Sequence, residues 1–152
     1  MKISLLIALT LVVFGQSCEN DQGLSESYDF PETHQWQKSE PKTFTFTIEK
    51  AGAFNGVLMG SFVYGSQFSK LPLVLTVSNE EKTEKQSLTF LIKNAKGEEC
   101  GDCTGDVCDV KQTVFTAKHF DPGTYTFTLE NTFEYPYFPN IIALGMELER
   151  VK

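Results

Sequence analysis

The sequence predicts an all-β fold, an antiparallel β-sandwich or jelly roll forming a single domain behind an N-terminal signal peptide. Three observations carry this. Several segments alternate apolar and polar residues with period two, as strands with one wet face do. No window repeats apolar residues three and four apart over several turns, as an amphipathic helix would. Turn-forming residues punctuate the segments, most plainly Asp121-Pro122-Gly123, where proline presets φ and glycine accepts a positive one.

The chain starts with one positive charge, Lys2, followed by an almost wholly apolar run over residues 3–14. That run is too short to cross a bilayer, which takes about 20 residues, and small residues follow it at Gly15 and Ser17. A charged start, a short apolar stretch and small residues form a secretion signal. It ends at Cys18, so residues 1–17 are read as a lipoprotein signal peptide. Cys18 is then the new N-terminus, whose thiol takes a diacylglycerol and whose amine takes a further acyl chain such as palmitate. Several acyl chains on one residue anchor a protein firmly, where one binds only marginally. Removing Lys2 with the signal leaves 12 basic against 20 acidic side chains, a balance of −8. Such a surface repels nucleic-acid phosphate, and no basic stripe offsets it. The expected location is the cell envelope, lipid-anchored, with the domain in the periplasm or at the cell surface.

Residues 18–41 read as the lipidated N-terminus and a polar lead-in, with residues 19–26 as a tether and Trp36 its one tryptophan. The sandwich is expected over residues 42–152. Its strands are read at 43–48, 56–64, 73–78, 86–93, 124–129 and 142–149, each alternating or rich in Val, Leu and Phe. Pro72 precedes the third of these, where a missing N–H is tolerated. With one or two more, about seven strands suit a sandwich or jelly roll.

Cys100, Cys103 and Cys108 share one acidic loop with Asp102, Asp106 and Asp109. Outside the cytoplasm thiols tend to pair, so a disulfide is the first reading, with one thiol left over. A zinc site would need a fourth ligand, a calcium loop lacks the EF-hand spacing, and a redox pair lacks the helix that activates one. The second cluster is aromatic: Phe133, Tyr135, Tyr137 and Phe138, punctuated by Pro136 and Pro139. With Trp36 these rings either present a surface to a partner or sugar, or fold over one end of the sandwich as its lid. Enzyme signatures are missing. His34 and His119 belong to no nucleophile or metal motif, and there is no phosphate-binding glycine loop. The reading is non-enzymatic, with no cofactor.

The chain resembles the gliding-motility lipoprotein H (GldH) family of the Bacteroidetes. The resemblance rests on Cys18, on the stretch from Tyr28-Asp29-Phe30 to Trp36, on Gly123-Thr124-Tyr125-Thr126-Phe127, and on residues 139–149. The three-cysteine loop lies outside that pattern. The resemblance implies a membrane-anchored, non-enzymatic accessory of gliding motility and type IX secretion, bound to other cell-envelope machinery proteins. A lipid-anchored module binding glycan or metal is the alternative.

Overall fold

The computed structural model describes residues 23–152, and the signal peptide and Cys18 lie outside them. Eleven strands form the described chain: β1 (Leu24–Asp29), β2 (Gln35–Gln37), β3 (Lys42–Ile48), β4 (Gly52–Val63), β5 (Lys70–Ser78), β6 (Thr83–Leu91), β7 (Asp102–Thr104), β8 (Val107–Phe120), β9 (Gly123–Asn131), β10 (Tyr137–Pro139) and β11 (Ile141–Arg150). Among the described residues there is no helix. One sheet runs β1-β11-β4-β8-β7 and the other β3-β9-β5-β6, with β10-β2 a two-stranded piece of its own. Every pairing is antiparallel.

The order is that of a jelly roll. Setting aside the short β2, β7 and β10, the first main strand pairs with the last, the second with the seventh, the third with the sixth and the fourth with the fifth. The chain is one long antiparallel ribbon, rolled up so that successive pairs land in alternate sheets. The β2–β10 pair is where that ribbon crosses between sheets. Leu24↔Leu148 through Asp29↔Ala143 lead into Gln35↔Pro139 and Gln37↔Tyr137, and the same two arms emerge as Lys42↔Leu129. His34 (φ 50°) and Asn140 (φ 62°) take left-handed conformations on either side of the crossing. His34 C=O accepts from Ile141 N–H (3.1 Å), and Asn140 C=O accepts from Val63 N–H (2.9 Å), which ties the bend to the body.

The core lies between the sheets. Phe44, Phe46 and Ile48 alternate inward on β3, as do Leu71, Leu73, Leu75 and Val77 on β5 and Leu144, Met146 and Leu148 on β11. Pro72 sits inside β5 instead of before it, and the sheet accommodates it. Its carbonyl accepts from Thr132 N–H (3.1 Å), one residue beyond the end of β9, so its missing N–H costs the β5–β9 ladder one bond at its very end.

A sandwich of two open sheets leaves two seams where edge strands expose unpaired backbone. Here inward-facing polar side chains close both. On one seam Tyr28 Oη donates to Thr43 C=O, and Glu26 Oε2 accepts from Thr45 N–H (2.9 Å). On the other, Gln112 Oε1 accepts from Leu91 N–H (2.9 Å) while its Nε2 donates to Thr89 C=O (2.8 Å), as a neighbouring strand's peptide would. Gln86 Nε2 donates to Val114 C=O (3.1 Å), and Lys118 pairs with Glu84.

The structure differs from the sequence reading in two further places. Residues 24–26, read as the end of the tether, are strand, because Leu24, Glu26 and Tyr28 line up opposite Leu148, Met146 and Leu144 and complete the sheet. Residues 107–120, of which the sequence reading puts 107–109 in the cysteine loop and the rest in no element, form the longest strand of the fold.

Candidate functional site: an aromatic pole

The two ends of the sandwich are unlike. At one pole the strands are joined by short turns: residues 49–51, 79–82 and 121–122. The chain also enters and leaves there, at Gly23 and Lys152. Long connections crowd the other pole: residues 64–69, the β6–β8 region with its β7 hairpin, and the crossing formed by β2 and residues 132–140. The three-cysteine loop and the aromatic cluster therefore share one end of the molecule.

The rings at that pole divide into two tiers. Trp36 and Phe138 are fully buried and Phe133 is 5% exposed. All three plug the end of the core, the lid of the two alternatives the sequence left open for these rings, and are not themselves a partner surface. The cause is the ribbon crossing: β2 and β10 span the open end of the sandwich, and Trp36 and Phe138, directly opposite each other, point down into it. Trp36 Nε1 donates to Glu40 C=O (2.7 Å), so its one polar atom is satisfied. Tyr135 (53% exposed) and Tyr137 (39% exposed) form the outer tier. With Gln67, Phe68, Phe133, Pro136 and Pro139 they line a shallow groove of about 460 Å³. Phe68 is its floor, with its ring centroid 4.7 Å from Phe133, 5.9 Å from Phe138 and 6.2 Å from Tyr135. Phe68 was not singled out from sequence. Its one signal was a large ring alone in the polar loop Gly65-Ser66-Gln67-Phe68-Ser69.

Asn131 holds the two tiers together. It is 3% exposed and ends β9. Its Nδ2 donates to Trp36 C=O (3.0 Å) and its Oδ1 accepts from Phe133 N–H (2.9 Å). One amide thus fixes the crossing strand and the start of the aromatic loop.

In the cysteine loop, Cys103 and Cys108 are joined by a disulfide across the β7–β8 hairpin, at directly opposed positions. Gly105 (φ 60°) is the first of the two residues that turn it, a position that wants positive φ. Cys108 is fully buried and Cys100 is a free, exposed thiol. With Cys103 and Cys108 paired, Cys100 is the thiol of this loop left free. Among the described residues no group of three or more His, Cys, Asp or Glu is placed to hold a metal.

The short-turn pole has a smaller, charged hollow of about 160 Å³ between residues 77–84 and 118–125. Glu84 lies there against Lys82 and Lys118, and the hydrogen bond from Lys118, reinforced by that from Lys82, holds its carboxyl below the usual range. Glu84 in turn raises the Lys82 ammonium. His119 Nε2 lies 3.3 Å from Asp121, and His34 is engaged through its backbone at the crossing.

Fold and site define a jelly-roll scaffold whose elaborated pole presents an aromatic groove. Among solved structures the chain is similar to the Eiger TNF of S. frugiperda, at 7% identity and a TM-score of 0.46, over 86% of this chain and 94% of that one. A comparison with curated proteins finds no match. The chain belongs to the GldH lipoprotein family, which it matches over residues 23–148, and it is a membrane-associated lipoprotein on that ground.

Proposed function

We propose that the protein is an accessory of the gliding-motility and type IX secretion machinery, anchored through a lipid on Cys18, and that it works by docking other envelope proteins without catalysis. Family membership is the observation that carries this reading. The chemistry of the groove supports it: the groups that line it are aromatic rings, prolines and an amide, suited to binding. The lipid on Cys18 would hold the domain at the membrane surface, in the periplasm or at the cell surface, where its partners sit. A lipid-anchored glycan-binding module is the second reading, favoured by two exposed tyrosines beside Gln67. For the metal form of that reading the Cys103–Cys108 disulfide leaves Cys100 and the carboxylates of the loop as donors.

A clean deletion scored for colony spreading and for secreted type IX cargo tests the reading. Loss of either, restored by the wild-type gene and not by Cys18→Ala, is expected. Normal spreading and secretion in a strain that does both would refute it.

A further inference from the structure

The two poles of the sandwich are separated by the length of its strands. β11 alone has 10 residues, or roughly 30 Å at about 3.3 Å per residue. The chain enters at Gly23, on the short-turn pole, next to the C-terminal end of β11. Only residues 19–22 separate Cys18 from Gly23, and that stretch of chain spans at most about 18 Å however it is drawn out. A lipid on Cys18 therefore holds the short-turn pole next to the membrane. The same arithmetic keeps residues 18–22 of this chain out of the aromatic groove.

The groove's own chemistry narrows the occupant. None of its seven lining residues is charged, although the chain as a whole carries −7. It therefore offers no counter-charge to an acidic or basic segment, and burying an unpaired charge in it would be costly. Its walls are tyrosine, phenylalanine and proline, and its polar groups are two phenols and the Gln67 amide. That is the surface on which a polyproline II segment docks. Such a segment is preformed, so little entropy is lost on binding. Its rings stack on aromatic faces, and its unpaired carbonyls accept from phenol and amide donors.

We infer that the aromatic pole is held away from the membrane and there takes an uncharged, proline-rich, extended segment of a partner protein. This rests on the proposed lipid anchor and goes beyond it by fixing which end of the domain binds and what it binds.

The test uses the full-length lipidated protein carrying fluorotyrosine in bilayer vesicles, where the five tyrosines give five fluorine signals. Decaproline is the probe, with chitohexaose as the glycan comparison. Decaproline should shift the Tyr135 and Tyr137 signals and leave that of Tyr125, at the other pole, in place. Tyr135→Ala should weaken the binding at least tenfold, with Tyr64→Ala without effect. A gadolinium-bearing lipid should broaden Tyr125 more than Tyr135. No shift with decaproline, or a shift of the pair with chitohexaose alone, overturns the proposed occupant. Stronger broadening of Tyr135 than of Tyr125 overturns the orientation while leaving the anchor intact. No broadening anywhere removes the anchor, and with it the proposed function.

Discussion

Asn131 is the residue on which the aromatic pole turns, and replacing it gives a graded set of outcomes. Asn131→Leu keeps much of the volume but strands two buried backbone groups, Trp36 C=O and Phe133 N–H. Leaving a buried donor or acceptor unpaired costs about 1–3 kcal/mol each. Some relaxation toward solvent through the loop of residues 132–137 should lower the sum, to about 2–4 kcal/mol. For a domain of this size that is roughly a 10 °C fall in melting temperature. Asn131→Asp separates the two bonds. Its carboxylate still accepts from Phe133 N–H but faces Trp36 C=O without a proton to give. Burial favours the neutral acid, so the folded-state pKa of this aspartate is expected to lie above its unfolded value of about 3.9. The sign follows: the protonated form can donate to Trp36 C=O, so the variant should approach wild-type stability below about pH 4 and lose it as pH rises through the folded pKa. Wild type, with a neutral amide, should show no such step. Trp36 is the one tryptophan and is fully buried, so its emission reports the pole directly. Urea titrations followed at that emission should give the Leu variant a lower midpoint at all pH values and the Asp variant a pH-dependent one. A Leu variant within about 0.5 kcal/mol of wild type, or an Asp variant indifferent to pH, would refute the role assigned to Asn131.

Other substitutions probe the rest of the fold. Gly60→Ala would put a Cβ 2.6 Å from Phe62 and 2.7 Å from Phe90, both fully buried and unable to yield, so a loss of about 1–3 kcal/mol is expected in chemical denaturation. Ala117→Gly should stabilise by about 0.5–1 kcal/mol, because Ala117 sits at φ 46°, where a Cβ is strained; an unchanged melting curve would count against that. Gln112→Ala unlatches the β6–β8 seam, freeing Leu91 N–H and Thr89 C=O; the expected result is about 1–2 kcal/mol of lost stability and concentration-dependent association seen by light scattering. Glu84 is depressed by its lysines, so its contribution is present above the unfolded carboxylate pKa and fades as pH falls through the lower folded value. The pair is exposed, so Glu84→Gln should shift the neutral-pH melting temperature by no more than about 2 °C, and less in acid.

Period two was legible wherever a strand has one face in the core and one in water. The Thr-Phe-Thr-Phe-Thr-Ile run of β3 and the Thr-Tyr-Thr-Phe-Thr-Leu run of β9 are such cases, and they pair with each other. The pattern failed where polar residues take inward positions. In β8 the inward sequence Cys108, Val110 is followed by Gln112, which serves the seam, and a bulge then shifts the register near Phe115 and Ala117. In β1 the inward positions include Glu26 and Tyr28, again spent on the seam, so the segment looked like a polar tether. Seam residues look like surface residues in a sequence, because their partners are backbone groups 15 to 28 positions away. At the aromatic pole the sequence located the cluster but not its tiers. Trp36, Phe133 and Phe138 went inward because the ribbon crosses there, and strand order, which set that crossing, had no local signature.

In the proposed role this lipoprotein offers the exposed tyrosines of its aromatic pole to a partner. The most direct test replaces the chromosomal gene with a Tyr135→Ala, Tyr137→Ala allele, in a strain that glides and secretes type IX cargo. Both side chains are exposed, so the domain should fold and accumulate at wild-type levels. Spreading or cargo secretion should then fall toward that of the deletion strain. Wild-type spreading and secretion from the double variant, in a strain where the deletion abolishes them, would contradict it.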